Sequence, residues 1–232
     1  MQRRFDWILF DADGTLLDYD AAESHSLAVS ADSFGISLSP EMHHAYREIN
    51  SALWRQFELG QVSSEKLRVR RFNELAALFG LEMSGSDFSD AYLSALARSG
   101  HMMDGAREML DSLPRDYRLA VITNGIRDVQ YGRLRAAGIL EKFEYVIISE
   151  DAGAAKPSPD FFKYMCRKLD ERRKDRMLVV GDSVSSDIAG GVGYGIPSVW
   201  FNPESIPNKS DVQPDWEIRD WVDLERILTG TL

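Results

Sequence analysis

One cysteine, four histidines and no apolar run approaching the ~20 residues that span a bilayer set the first limits on this 232-residue chain. A lone Cys166 excludes an intrachain disulfide and a cysteine zinc cluster. It follows the same helical pattern as Phe161, Phe162, Met165 and Leu169 and reads as a small core residue. His43 and His44 are neighbours on a helix pattern, roughly 100° apart around its axis, so they cannot chelate one ion together. His25 and His101 are isolated in sequence, and no metal role follows for either. Positive charge is also short: 27 Lys and Arg face 37 Asp and Glu, a net charge of -10 that argues against a surface coating a nucleic acid polymer. Repeats, low-complexity tracts and Gly/Ser linkers are missing. The basic start, Met1-Gln2-Arg3-Arg4, leads straight towards a strand without an apolar signal segment. The expectation is a cytoplasmic protein with no membrane partner, as monomer or homodimer.

What the chain does have is a first strand that stops abruptly at acids. Trp7-Ile8-Leu9-Phe10 is an apolar run without helical period, bounded by Asp11-Ala12-Asp13-Gly14-Thr15. Two carboxylates therefore stand at a strand end, where Gly14 lets backbone or ligand approach closely. Acids beside an apolar strand need a cationic counterpart. From Asp20 to about Gly100 the pattern is helical, near 21–34, 40–59, 64–79 and 87–98, with breaks at Gly35, Gly60 and Gly80. Ser39-Pro40-Glu41 and Ser63-Ser64-Glu65 have the look of helix starts. Beyond Asp104-Gly105, strands 119–122, 145–148, 177–180 and 198–201 alternate with helices 105–113, 127–136, 159–169 and 184–194, and an amphipathic piece runs from Trp221 to Leu228. Alternation of this kind implies a parallel sheet covered on both faces, with ligands beyond the C-terminal strand ends. The fold class expected is α/β: a Rossmann-like parallel sheet core, residues 1–18 and 101–232, with an inserted α-helical cap domain, residues 19–100.

Three more strand ends or adjoining loops carry useful chemistry. Thr123-Asn124-Gly125 offers a hydroxyl and backbone donors at a strand-to-helix turn, which suits phosphate. Lys156 precedes Pro157-Ser158-Pro159, a stiff segment that fixes its position. Gly181-Asp182 ends the fourth strand, with Asp187 following; the plainer reading of Asp182 is a helix N-cap.

In this order and at these places, the set resembles the haloacid dehalogenase-like hydrolase superfamily across essentially the whole chain. Its four motifs match Asp11-x-Asp13-Gly14-Thr15, Thr123-Asn124, Lys156-Pro157, and Gly181-Asp182 with Asp187. The helical insert is similar to that family's C1-type cap. Phe5 to Asp13, the cap stretch Asn50, Leu53-Trp54 and Gly60, Ile122-Thr123-Asn124-Gly125, and Ile147-Ile148-Ser149-Glu150 with Ala155-Lys156-Pro157 resemble the pyrimidine 5'-nucleotidase subgroup.

The resemblance implies a Mg2+-dependent phosphatase acting on a small phosphorylated metabolite, a pyrimidine nucleoside monophosphate in the subgroup's case. Asp11 would be the nucleophile forming an aspartyl-phosphate, and Asp13 the acid and base for the leaving alkoxide and the incoming water. Asp11, the Asp13 backbone carbonyl, Asp182 and Asp187 would hold Mg2+, the last directly or through water. Thr123, Asn124 and Lys156 would hold the phosphoryl group. Dehalogenases of the family lack an acid at the Asp13 position, so Asp13 argues for phosphoryl transfer. Within the cap, Tyr46, Asn50, Trp54 and Phe57 share a helix face; Asn50 and Trp54 are the candidates for reading the substrate. Arg70 and Arg71 are candidates for anion contact, with pairing to surface acids as the plainer reading. Lys66, the one cap lysine, reads as a solvated charge. Two other readings stay open: a sugar-phosphate phosphatase or β-phosphoglucomutase-like phosphomutase, and a non-catalytic binding protein that kept the fold.

Overall fold

The computed structural model describes residues 4–115 and 117–232; Met1-Gln2-Arg3 of the basic start and Asp116 lie outside them. The chain begins with β1 (Trp7–Phe10), followed by α1 (Tyr19–Ser33), α2 (Pro40–Glu58), α3 (Ser64–Phe79) and α4 (Gly85–Ala97). Next come α5 (Ala106–Ser112), β2 (Arg118–Thr123), α6 (Arg127–Ala136), β3 (Tyr145–Ile148) and the short α7 (Ser149–Ala152). The last part holds α8 (Pro159–Leu169), β4 (Met177–Gly181), α9 (Ala189–Tyr194), β5 (Ser198–Phe201), β6 (Trp216–Ile218) and α10 (Trp221–Thr229). Among the described residues no helix is long and apolar enough to cross a membrane.

These elements gather into two compact units. The α/β unit comprises the residues up to Asp18, Met102–Gly125 and Ala137–Leu232. Its six strands are all parallel, in the order β3-β2-β1-β4-β5-β6. Strand β1 sits inside the sheet, with Leu9 opposite Ala120 on β2 and opposite Val179 on β4. All four β1 residues are buried, as an interior strand of a doubly covered sheet requires. Trp7 and Leu9 join Phe161, Phe162 and Met165 of α8 in one core cluster. The strand order reverses direction at β1 and β4, so the ends of these two strands flank the switch point where such sheets bind ligands.

Strand β6 is absent from the sequence reading. It is only three residues long, follows the polar stretch ending in Asp215, and is held by Asp215 N–H to Ser198 O at 2.9–3.0 Å spacing typical of a ladder, here 3.0 Å. The expected single helix at 184–194 also differs. Val184–Ile188 forms a π-turn before α9, with Ser183 O accepting from both Asp187 N and Ile188 N. Such widened turns recur at functional sites.

The helical unit comprises Tyr19–His101 and Ile126–Ala136. Its helices start where the serines are: Ser39, Ser63 and Ser84 each accept a hydrogen bond from a backbone N–H three residues on. Gly80 ends α3 in the left-handed conformation, at φ 64. Tyr46, Phe72, Phe88 and Tyr92 form its aromatic core with Ala22, Leu27, Leu75 and Leu96. Helix α6 lies between β2 and β3 in the chain yet belongs to this unit, because Ile126 and Val129 join the same core. Gly132 permits the approach: a Cβ there would stand 2.5 Å from Ala97 O. Sequence periodicity identifies such a helix but not the unit its apolar face selects.

Candidate active site

Strand β1 delivers Asp11, and the next backbone bond, Asp11 N–H to Val180 O at 2.8 Å, keeps it beside the end of β4. The chain then turns tightly. Leu16 N and Leu17 N both donate to Ala12 O, and Gly14, at φ +81, donates to Leu17 O. This turn carries Asp13 and puts Thr15 back over the strand ends, where its Oγ1 donates to Asp182 Oδ1 at 3.0 Å. A Cβ on Gly14 would lie 2.5 Å from Asp182 Oδ2, so the glycine is required by both its conformation and the carboxylate it faces. Asp182 is therefore held by Thr15; Ser183 is the cap of the turn that follows. Trp200 on β5 fixes the backbone there, its Nε1 donating to Asp182 O at 2.8 Å.

Lys156 stands at the centre of the site, 1% exposed. Its ammonium donates to Asp11 Oδ1 at 2.5 Å, Asp187 Oδ1 at 2.6 Å and Ile122 O at 2.7 Å. Asn124 places it: the side-chain amide donates to Lys156 O at 2.9 Å and accepts from Lys156 N at 2.8 Å. Thr123 Oγ1 accepts from Gly125 N at 3.0 Å, shaping the turn after β2. Asp187 is likewise fixed at both oxygens, with Ser183 N–H on Oδ2 at 3.1 Å. Gly181 makes room for it, since a Cβ there would sit 2.4 Å from Asp187 Cγ.

Carboxylate oxygens of Asp11, Asp182 and Asp187 lie within 4.8 Å of one another. Burial pushes the Asp11 carboxyl well above its ordinary value; Lys156 opposes this, while Asp187, Asp182 and Asp13 push it further up. Burial and then Asp187 raise Asp182 to about 7 against the Thr15 hydrogen bond. Burial alone would lower Lys156, but Asp11 and Asp187 outweigh it and hold the ammonium charged. One lysine cannot balance three clustered acids. A hard divalent cation with oxygen ligands fits both the donor set and the missing charge. Asp13 is outside this triad of carboxylates, half-buried in the turn one residue before Gly14.

The sequence model of the haloacid dehalogenase-like hydrolase family matches residues 5–195. The chain belongs to this family. HAD-hydrolase YfnB of Bacillus subtilis is 34% identical over 97% of this chain and 96% of its own length. Its magnesium-bound crystal structure superposes with a TM-score of 0.90, covering 97% of this chain and 99% of that one. Pyrimidine 5'-nucleotidase PynA of Streptococcus pneumoniae is 37% identical over 95% of this chain and 93% of its own. Pyrimidine 5'-nucleotidase YjjG of Escherichia coli is 29% identical over 97% and 98%.

For this hydrolase, two expected outcomes follow from the geometry. Gly181→Ala should displace Asp187 and reduce both the Mg2+-induced rise in Tm and turnover by about tenfold or more, measured by thermal denaturation and phosphate release. The raised Asp182 carboxyl gives a sign for pH. Below about 7 it holds a proton that a cation must displace, so stabilisation by Mg2+ should shrink as pH falls from about 8 to about 6. The difference in Tm with and without Mg2+ isolates this effect from other titrating groups.

Other candidates from the sequence lie in the helical unit. Asn50 is buried with its amide committed: Nδ2 donates to Tyr19 OH at 3.0 Å and Glu23 Oε2 at 3.1 Å, and Oδ1 accepts from Arg71 at 3.1 Å. Trp54 is half-buried, edge-on to Phe57 at 5.4 Å. Arg70 pairs with Glu74 at 2.6 Å, whereas Arg71 is buried against the Phe72 and Tyr92 rings and donates to Asn50, because its position on α3 faces the aromatic core. Lys66 is exposed. His25 and His101 come together across the fold, with ring centroids 6.2 Å apart, and His101 Nδ1 meets Ser99 Oγ at 2.7 Å. The roles of Thr15 and Trp200 went unassigned in the sequence; the signal for Thr15 was its place in the first motif.

Proposed function

We propose that the protein is a Mg2+-dependent phosphomonoester hydrolase acting on pyrimidine nucleoside 5'-monophosphates through an aspartyl-phosphate intermediate. The observation that carries the chemistry is a buried lysine bridging two acids of a three-carboxylate cluster, with a second strand-end acid, Asp13, two residues after Asp11. The base preference rests on the relatives named pyrimidine 5'-nucleotidase, at 37% and 29% identity over nearly all of the chain.

Asp11 attacks phosphorus with one carboxylate oxygen, forming the Asp11 O–P bond as the P–O bond to the leaving nucleoside breaks. Asp13 gives its proton to the departing 5'-oxygen. It then takes a proton from the water that attacks the aspartyl-phosphate, which returns Asp11 and releases inorganic phosphate. Lys156 holds Asp11 in line and offsets the charge gathered at the phosphoryl group. Thr123 and the backbone N–H of Asn124 hold phosphoryl oxygens at the end of β2. Mg2+, held by Asp11, the Asp13 carbonyl, Asp182 and Asp187, would offset the acids' charge and polarise the phosphoryl oxygens. Asp187, with both oxygens already accepting hydrogen bonds, would act on the cation through water.

The test is phosphate release with Mg2+ across pyrimidine and purine nucleoside monophosphates, sugar phosphates and phosphonates, beside a chelated control. Preference for dUMP, dTMP or UMP, lost on chelation, supports the reading. Turnover confined to sugar phosphates would retain the hydrolytic chemistry and remove the pyrimidine assignment.

A further inference from the structure

Asp182 and Asp187 are held through one peptide unit as well as through their own side chains. Strand β4 pairs with β5 up to Gly181, opposite Trp200, and the register ends at that pair. The next peptide, between Asp182 and Ser183, is gripped at both of its polar atoms instead. Its carbonyl, Asp182 O, accepts from the Trp200 indole at 2.8 Å, and its N–H, on Ser183, donates to Asp187 Oδ2 at 3.1 Å. A peptide is planar and rigid, so fixing the direction of its oxygen also fixes the direction of its N–H. Trp200 thereby acts on both acids through a single plane.

The donor is well anchored and the groups it holds are not. Trp200 is 5% exposed and sits in β5 between Gly181 of β4 and Glu217 of β6. Asp182 lies just past the end of β4, and Asp187 lies in the widened turn Val184–Ile188. The connection also runs further, because Asp187 Oδ1 accepts from Lys156, whose ammonium donates to Asp11 as well. Four hydrogen bonds and one peptide plane thus join the indole to Asp11.

We propose that Trp200 is a positioning residue that sets the spacing of Asp182 and Asp187 and so makes the site select Mg2+ over the larger Ca2+. This deepens the Mg2+-dependent reading and rests on it. Mg2+ demands a near-ideal octahedron of oxygens at about 2.0–2.1 Å, whereas Ca2+ accepts about six to eight oxygens at roughly 2.3–2.6 Å in looser arrangements. Loosening the two acids therefore costs the smaller ion more. Groups that orient ligands from behind are worth about 10–100-fold in metal affinity. Phenylalanine at position 200 keeps a ring in the sheet but has no N–H, which releases Asp182 O and frees the peptide plane to rotate.

The experiment titrates Mg2+ and Ca2+ separately into ion-free wild-type protein, Trp200→Phe and Trp221→Phe by calorimetry, with the ion-free Tm of each. Trp221 is the matched control. It is buried in the same α/β unit and its Nε1 donates to a backbone carbonyl, Asp104 O, at 3.1 Å, but Asp104 is outside the acid cluster. Both variants should lose Tm, since each gives up a buried indole. Trp200→Phe should weaken Mg2+ by about tenfold and Ca2+ by no more than about threefold, so the preference for Mg2+ falls, whereas Trp221→Phe should leave the preference alone. A merely structural indole lowers Tm without moving that preference. An unchanged preference in Trp200→Phe, an equal change in both variants, or wild-type protein that does not favour Mg2+ over Ca2+ overturns the role of Trp200 and leaves the phosphatase reading intact. Wild-type protein that binds neither ion removes the Mg2+-dependent reading, and the inference with it.

Discussion

Asp11→Asn is expected to reduce phosphate release by about 10⁴-fold or more, with the folded state at least as stable as wild type. The amide has the shape of the acid but lacks the charge and nucleophilicity needed to form the proposed aspartyl-phosphate. Stability should not suffer, because Asp11 is one of three clustered carboxylates and Lys156 keeps Asp187 and Ile122 O as partners. Removing a charge that burial and Asp187, Asp182 and Asp13 all disfavour relieves the site. Single-turnover phosphate release and thermal denaturation, both without and with Mg2+, read the two effects. Substantial turnover would remove Asp11 as nucleophile; a large fall in Tm would show that its charge holds the fold together.

Lys156→Met should act in the opposite way on stability. It keeps the length of the side chain but leaves Asp11 and Asp187 buried with no cation between them. Breaking a buried pair from one side costs about 3–5 kcal/mol, which for a chain of this size corresponds to a fall in Tm of roughly 10 °C. Mg2+ should restore more of the Tm in this variant than it adds to wild type, since it supplies the charge the lysine gave. Activity should fall as well, and stay low at saturating Mg2+, because a cation cannot restore the contact with Asp11. A loss of Tm of only a degree or two would show that the acids in the ion-free variant are protonated rather than repelling.

The contrast between the two substitutions follows from how the site is made, and much of that was readable in sequence. Trp7 to Phe10 followed by Asp11 announces a buried strand ending in acids, and Lys156 before Pro157-Ser158-Pro159 announces a fixed cation. The alternation of strands and helices implied a parallel sheet, which the strand pairings bear out. What was not legible depends on pairing across the chain. Nothing local to Arg71 says that its partner is Asn50, 21 residues away on another helix, or that both turn inward. His25 and His101 read as isolated for the same reason, although their rings meet edge-on. Strand β6 carries too few residues to show a period, and takes its identity from β5 beside it. Asn124 was read for its backbone N–H, while its side chain turns out to grip the backbone of Lys156.

The indole of Trp200 has a consequence for observing the site. It is 5% exposed and donates its N–H to the backbone carbonyl of Asp182, a carboxylate expected to move or change charge when a cation arrives. An indole in that position is a built-in optical probe. Its emission should shift or change in intensity on adding Mg2+, and the change should vanish in Trp200→Phe while the other four tryptophans remain. Cation arrival could then be followed in stopped flow, before any phosphate is released and without a label attached to the chain.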